Sequence, residues 1–319
     1  MLAAALWVCL GIGLLVVGGE LLLRGSVGLA TLAKLSPAVI GLTVVAAGTS
    51  VPELAVSTIA SYRGNNDIAV ANVVGSNIFN LTFILGLCAL VRPFPISSNT
   101  LKMEYPVLLV VTVLGYFLLA DLSLSRIEAV LLMSIYVAFT TFLVLQVRKQ
   151  MTRREEKILE KEVEELEPTK SPTLWLSLVF LISGIALLGF GAQATVSGAS
   201  DLARIWGWSE RLIGLTIVSV GTSLPEVVAS LMSSLRGRSD VAIGNVIGSN
   251  LFNLLMILGI SATVSPITLS SSVSSDCLWM VLVTIALAPL LWNGKKIYRW
   301  EGLVLLLIYA VYLGLLLRS

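Results

Sequence analysis

Two similar six-residue motifs each place a glutamate in the middle of an apolar stretch. One reads Gly-Thr-Ser-Val-Pro-Glu and ends at Glu53, and the other reads Gly-Thr-Ser-Leu-Pro-Glu and ends at Glu226. A carboxylate at membrane depth costs at least about 2.5 kcal/mol on insertion scales and is functional by default. Each motif proline lacks an N–H and clashes with the carbonyl four residues earlier, so it breaks the helix and frees carbonyl oxygens. Because hard cations prefer carboxylate, hydroxyl and carbonyl ligands, the motifs predict a cation site. The alternative is a pair of protonated carboxyls that only join helices.

Further polar residues follow each motif at helical spacing. In the next apolar stretch of each half, three polar residues recur every four positions, which places them on one face of a helix. From these we expect four residues to belong to the site: Ser76, Asn80, Ser249 and Asn253. Serines one and two turns after each glutamate are assigned to close helix packing: Ser57, Ser61, Ser230 and Ser234. Asp67 and Asp240, at the starts of their helices, are predicted to be N-caps.

The composition places these motifs in a membrane protein. The 319 residues are 56% hydrophobic and 13% charged, about half the charged fraction of a soluble domain. Histidine is absent, which removes the commonest metal ligand and the usual general base, so zinc sites and Ser–His catalysis are excluded. The three cysteines have neither metal nor redox spacing. We predict no enzyme activity, no cofactor and no nucleic-acid partner, and the sequence indicates no protein partner.

Apolar runs of about 20 residues, the length that a membrane helix needs, occur ten times. They lie near 3–23, 37–61, 67–90, 105–120, 126–147, 173–195, 209–235, 240–263, 277–293 and 301–317. Between the fifth and sixth runs, residues 148–172 hold seven Lys or Arg and seven Glu, with opposite charges one helical turn apart. This pattern predicts a solvated helical linker, and a regulatory ion-binding role is the weaker alternative. The predicted organisation is a five-helix repeat over 1–147, the linker over 148–172 and a second five-helix repeat over 173–319.

The two halves of the chain are copies of each other. A shift of 173 residues superposes 41–86 on 214–259 with 26 of 46 positions identical. Each half has five spans, an odd number, so the second copy enters the membrane from the opposite side. Sixteen of the 21 Lys and Arg residues fall on one side of the membrane, which places the linker in the cytoplasm and both termini outside. Inverted repeats with interrupted helices are typical of secondary transporters. We therefore predict an all-α membrane protein whose ten transmembrane helices form two inverted-topology repeats.

The pattern GTSxPE followed by GNxxGSNxxN, present in two inverted copies, resembles the cation/Ca2+ exchanger superfamily, and most of all its prokaryotic sodium/calcium exchangers. The first copy departs slightly, with Ala71 where the family usually has glycine. The resemblance implies four cation sites among the central helices and alternating access by sliding of the first and sixth helices. It implies that Ca2+ is bound by Glu53, Glu226 and the carbonyls of Thr49 and Thr222. It implies Na+ ligands among Ala46, Thr49, Ser50, Glu53, Ser76, Ser219, Thr222, Ser223, Glu226 and Ser249.

One departure from the family affects selectivity. Asn80 and Asn253 occupy motif positions at which several members have aspartate in one or both halves. The centre then has two carboxylates, which neutralise one Ca2+ or two Na+ and argue against the K+-dependent type.

The predicted function is exchange of Ca2+ for Na+ across the plasma membrane, with H+/Ca2+ exchange as the alternative. The expected partners are the two ions and the lipid bilayer. A channel is disfavoured because no repeated filter ring is present. A membrane enzyme using Ser50 or Ser223 is disfavoured because histidine is absent and the spans lack lysine.

Overall fold

The computed structural model describes residues 1–150, 173–208, 213, 217, 219–270 and 274–316, and this part of the chain is almost entirely helical. The first half contains α1 (Leu2–Ala33), α2 (Pro37–Thr49), α3 (Val51–Tyr62), α4 (Asn66–Val91), α5 (Thr100–Leu118) and α6 (Arg126–Gln150). The second half contains α7 (Leu174–Ile205), α8 (Ser219–Thr222), α9 (Leu224–Leu235), α10 (Ser239–Val264), α11 (Ser274–Trp292) and α12 (Arg299–Leu316). Residues 151–172 of the predicted linker lie outside the described part.

Eight described helices are long and apolar enough to cross a membrane, and α2 with α3 makes a ninth span when the bent pair is counted as one. Nine of the predicted runs correspond to these elements. The remaining run, 209–235, is described only at residues 213 and 217 and from residue 219 onward. The count of ten helices therefore stays a prediction.

The first and sixth spans are longer than the sequence predicted. Helices α1 and α7 each have 32 residues, whereas the predicted runs ended near 23 and 195. Charged residues misled the prediction, because they pair along the helix surface instead of ending it. Arg24 binds Glu20 one turn earlier at 3.1 Å, and Arg204 binds Asp201 at 2.9 Å.

Small residues bring the backbones of α1 and α7 into contact. A Cβ atom on Gly11 would lie 2.7 Å from the carbonyl oxygen of Gly191, and one on Gly184 would lie 2.9 Å from that of Gly18. Small residues recur every seven positions along both helices: Ala4, Gly11, Gly18 and Gly25, and Ser177, Gly184, Gly191 and Gly198. Such residues allow close approach of membrane helices, so α1 and α7 form an antiparallel pair with little side-chain bulk between them.

The described chain has four two-residue strands that connect the halves, and the sequence did not predict them. They are β1 (Phe94–Pro95), β2 (Ser123–Leu124), β3 (Ile267–Thr268) and β4 (Lys296–Ile297). β1 pairs antiparallel with β4, and β2 pairs antiparallel with β3. A shift of 173 residues converts β1 into β3 and β2 into β4. The two pairings are therefore equivalent and reciprocal, as a two-fold relation between the halves requires.

The predicted N-caps are wrong. The capping positions of α4 and α10 are Asn65 and Arg238, so both aspartates lie inside the first turn. Asp67 instead accepts a hydrogen bond of 2.9 Å from the N–H of Ser270. Asp240 forms an ion pair with Arg238 at 3.3 Å. Each carboxylate therefore binds a group other than the backbone amides of its own first helical turn.

We call the end of the helix bundle at which α1 begins and α12 ends the termini end, and the end at which α6 ends the linker end. Helix α4 begins at the termini end, where α10 ends, because Ser61 in the last turn of α3 donates to the carbonyl of Ser261 at 2.9 Å. Helices α2 and α10 begin together at the linker end, where Gly41 lies against the backbone of Val241.

Candidate cation-binding site

Each glutamate motif lies where one helix segment ends and another begins. Helix α2 ends at Thr49, Ser50 has φ −83° and ψ 11°, and α3 begins at Val51 at an angle of 48° to α2. Pro52 lies in the first turn of α3, where no helical hydrogen bond is lost through its missing N–H. The second half repeats this geometry at Ser223, with φ −89° and ψ 6°. The predicted helix breaks are confirmed.

The breaks place both glutamates at helix N-termini. Glu53 lies in the first turn of α3, and Glu226 lies in the first turn of α9. Both side chains are 1% exposed. The partial positive charge of a helix N-terminus stabilises a nearby carboxylate, which offsets part of the cost of burying it.

Reciprocal hydrogen bonds join the two motifs. The hydroxyl of Ser50 donates to Oε1 of Glu226 at 2.8 Å, and the hydroxyl of Ser223 donates to Oε1 of Glu53 at 2.8 Å. The oxygen of Ser223 also lies 3.5 Å from that of Ser76. Residues far apart in sequence thus share one buried centre.

Several buried oxygens of this centre have no hydrogen-bond partner within the described chain. They are Oε2 of Glu53, Oε2 of Glu226, Oδ1 of Asn80, Oδ1 of Asn253 and Oγ of Ser249. Helix α9 contacts the turn that begins at Asn80, and α3 contacts the turn that begins at Asn253. Buried polar atoms in proteins are normally paired. All five unpaired atoms are oxygens, the ligand atoms that hard cations prefer.

The asparagines begin irregular turns that the sequence did not predict. A π-helical turn runs from Asn80 to Ile84 in α4, and its equivalent runs from Asn253 to Ile257 in α10. Such turns shift the backbone hydrogen bonds by one residue and are frequent at functional sites. Here they begin at the two predicted central polar residues.

Amide side chains on α4 and α10 fix the segments that bear the glutamates. Asn72 donates to the carbonyl of Glu53 at 3.2 Å and to the hydroxyl of Ser57 at 2.9 Å. Asn245 donates to the hydroxyl of Ser230 at 2.9 Å and accepts from Thr49 at 3.3 Å. These contacts agree with a packing role for Ser57 and Ser230. The two asparagines hold the motif helices against the helices that follow them.

Asn77 is a central residue that sequence reasoning missed. Its Oδ1 accepts from the amide of Asn253 at 3.0 Å, and its own amide donates to the carbonyl of Asn250 at 3.3 Å. Asn77 thereby fixes the orientation in which Oδ1 of Asn253 is left unpaired. The available signal was that the Gly-Ser-Asn triplet containing it is identical in both copies.

The backbone ligands implied by the resemblance are less clearly placed. The carbonyl of Ala46 is not freed by the break, because it accepts from the N–H of Ser50 at 3.1 Å. Ser219 is the first residue of α8, and its side chain lies outside the described residues. Thr49 and Thr222 end the segments before the two breaks, next to the serines that bind the glutamates.

A cavity of about 520 Å3 connects this centre with the termini end. Its lining includes Ile68 and Asn72 near the start of α4, Leu316 at the end of α12, and Ser76 and Ser223 of the centre. The linker end is closed by α2. A Cβ atom on Gly248 of α10 would collide with the backbone of Leu42.

Comparisons with known proteins agree with this architecture. A family model described as sodium/calcium exchanger protein matches the chain twice, over residues 3–145 and 176–318. The putative antiporter CaxA of Alkalimonas amylolytica is 40% identical, and the match covers 100% of both chains. The inner membrane protein YrbG of Escherichia coli is 34% identical over 99% of this chain and 97% of its own length. The sodium/calcium exchanger MaX1 of Methanosarcina acetivorans is 30% identical over 96% of each chain.

A solved structure has the same fold. The sodium-calcium exchanger NCX_Mj, soaked with zero Na+ and Ca2+, matches with a TM-score of 0.84 and 29% sequence identity over 99% of both chains. The match extends over both halves, so the architecture of two repeats and the multi-pass membrane character apply to the whole chain.

Proposed function

Because this chain belongs to the sodium/calcium exchanger family of cation transporters, we propose that it exchanges Ca2+ for Na+ by alternating access. The observation that supports this most directly is the buried pair Glu53 and Glu226. Each carboxylate accepts a hydrogen bond from a serine of the other half, and within the described residues its Oε2 has no hydrogen-bond partner. A bound cation would complete a centre of this kind.

We assign the Ca2+ ligands to both glutamates and to the carbonyls of Thr49 and Thr222. Two carboxylates neutralise one divalent ion, and oxygen-only coordination suits Ca2+. The proposed Na+ ligands are the same four residues with six more: Ala46, Ser50, Ser76, Ser219, Ser223 and Ser249. Since both ions use the glutamates, they compete for one centre, and Ca2+ and Na+ cannot both occupy it fully.

The same centre explains exchange without leak. When no cation is bound, two like charges about 6 Å apart repel by roughly 3 kcal/mol at an effective dielectric constant of about 20. Closing such a centre away from water removes the solvent that screens this repulsion. The empty carrier is therefore slow to reorient, and each crossing requires a bound ion.

The second candidate is H+/Ca2+ exchange. It is supported by the same unpaired Oε2 atoms, because a carboxylate that releases Ca2+ can bind a proton in its place. The two candidates differ only in the ion that returns through the centre.

We place the protein in the cytoplasmic membrane of the cell, with both termini outside and the linker of residues 148–172 in the cytoplasm. The asymmetric distribution of Lys and Arg supports this orientation. It implies that the cavity lies toward the outer side of the membrane. The repeat boundaries at 147 and 173 are part of the same proposal.

Proteoliposomes provide the test. Purified protein is reconstituted, and radioactive Ca2+ uptake is measured under an outward Na+ gradient, an outward proton gradient, and an outward K+ gradient as the control. Ca2+/Na+ exchange predicts uptake only with Na+ and equal Ca2+ efflux when that gradient is reversed. Uptake with the proton gradient alone would favour the second candidate. Absence of Ca2+ uptake under every one of the three gradients would contradict both candidates.

A further inference from the structure

Asp276 is the one carboxylate in the described lining of the cavity at the termini end, and the two central glutamates are not part of that lining. Asp276 is the third residue of α11 and lines the cavity together with Tyr309 and Tyr312 of α12. The same cavity is lined by Ser76 and Ser223, which belong to the centre. One continuous space therefore joins Asp276 to the hydroxyl that donates to Glu53.

Among the described residues the carboxylate has no charged partner. Within the described chain its one hydrogen bond comes from the hydroxyl of Tyr312, at 3.4 Å, and no Lys or Arg nitrogen lies within ion-pair distance. The side chain is partly exposed. It therefore has oxygen capacity left for a hydrated cation, and no structural ion pair accounts for its charge.

The position is specific to one end of the protein. The residue equivalent to Asp276 in the first half, 173 positions earlier, is Met103. The neighbouring Glu104 is 2% exposed and accepts a hydrogen bond of 2.8 Å from Thr100, so it is turned into the helix packing. The two-fold symmetry that governs the centre does not extend to this carboxylate.

We propose that Asp276 and the hydroxyl of Tyr312 form an outer cation-binding site, which collects hydrated Ca2+ or Na+ before the ion reaches Glu53 and Glu226. The proposal rests on the cation exchange proposed above. A charge in a cleft with low-dielectric walls raises the local concentration of counterions and their association rate. A single carboxylate binds weakly enough for the ion to move on, as conduction through successive sites requires.

The first experiment measures the half-saturating Ca2+ concentration at each end of the protein separately. Ca2+ transport is measured in right-side-out and inside-out vesicles at low ionic strength for the wild type, Asp276→Asn and Asp276→Glu. The half-saturating Ca2+ concentration at the termini end should rise about five- to tenfold in Asp276→Asn, with the maximal rate and the value at the linker end unchanged. Asp276→Glu keeps the charge and should stay within about twofold of the wild type. Added salt should reduce the difference, because it screens the charge.

Asp201→Asn is the matched control. It removes the same charge near the end of α7, on a side chain that is 55% exposed and paired with Arg204 outside the cavity. It should leave transport at both ends unchanged. Equal half-saturation in Asp276→Asn and the wild type would overturn the outer site. An equal change at both ends, or a loss of maximal rate in both Asp276 variants, would also overturn it and assign Asp276 a structural role.

A second experiment detects the site without transport. Tb3+ is a luminescent probe for oxygen sites near aromatic side chains, and the rings of Trp279 and Tyr312 lie 6.1 Å apart beside Asp276. In a variant with Glu53→Gln and Glu226→Gln, sensitised Tb3+ emission should persist and should fall at least threefold when Asp276→Asn is added. Absence of that fall would contradict the outer site. Failure of the wild type to exchange Ca2+ would instead contradict the proposed function.

Discussion

The hydroxyl of Ser50 in the first half of the chain donates a hydrogen bond of 2.8 Å to the carboxylate of Glu226 in the second half. Its counterpart, from Ser223 to Glu53, has the same length. Each glutamate is thus oriented by the opposite repeat. Neither half contains a complete centre, which is the physical reason that the two copies must function as one unit.

The two serines should contribute equally to Na+ binding. Ser50→Ala and Ser223→Ala each remove one proposed Na+ ligand that also orients a glutamate. We expect each to raise the half-saturating Na+ concentration about five- to tenfold, the effect of losing about 1 kcal/mol or slightly more. Na+-dependent Ca2+ release measures this. The control is Ser57→Ala, because the hydroxyl of Ser57 donates to the carbonyl of Ala69. An equal effect in this control would assign the hydroxyls of Ser50 and Ser223 to packing.

The close contact of α1 and α7 should be needed for movement. Gly191→Ala introduces a methyl group 2.8 Å from the carbonyl of Gly11 and forces the helices apart. If these helices slide past the core, the exchange rate should fall severalfold while Ca2+ affinity stays unchanged. Stopped-flow exchange and calorimetric binding measure the two quantities. Gly189→Ala should behave as the wild type, because none of the described atoms lies within 4 Å of a Cβ atom on Gly189. Slow exchange in Gly189→Ala would contradict a specific role for the contact between α1 and α7.

An ion pair between the halves that has no two-fold counterpart should hold the linker end closed. Glu20 of α1 binds Arg236 after α9 at 3.0 Å, whereas the residues equivalent to them are Gln193 and Arg63. The arginine is half-exposed, so the pair contributes at most about 1 kcal/mol.

Arg236→Gln should accordingly increase up to about fivefold the fraction of molecules open at the linker end. Hydrogen–deuterium exchange in residues 37–49, which close that end, should accelerate. Arg204→Gln removes the partner of Asp201 near the end of α7 and serves as the control. Unchanged protection of α2 in Arg236→Gln would show that packing alone keeps this end closed.

The central amides should determine cation preference. In the wild type the amide of Asn253 donates a hydrogen bond to Oδ1 of Asn77. Asn253→Asp replaces that amide with a third carboxylate. Added negative charge should alter the relative transport of Ca2+, Na+ and K+ while the protein stays folded. Transport is compared across these cations, with Asn99→Asp as a control that adds the same charge at an exposed position. Identical transport in every cation would make Asn253 a packing residue.

The repeated motif made the centre predictable from sequence. Proline in mid-span predicts the break, and a second copy with the same glutamate predicts that two carboxylates meet. The role of Asn77 was less accessible, because only tertiary packing determines which neighbour its amide binds. The π-helical turns and two-residue strands lack a periodic signal at the sequence level. In the sequence Asp276 is one of several acidic residues at helix ends, and only the cavity beside it distinguishes it.

The account depends most on the paired glutamates, and calorimetric Ca2+ binding tests them most directly. Glu53→Gln and Glu226→Gln preserve side-chain shape and remove one charge each. The remaining carboxylate cannot neutralise a desolvated divalent ion, so we expect each variant to lose Ca2+ binding, Ca2+-dependent thermal stabilisation and Ca2+ exchange together. Asp201→Asn should retain all three. Wild-type Ca2+ binding and exchange in either glutamine variant would contradict the two-glutamate centre.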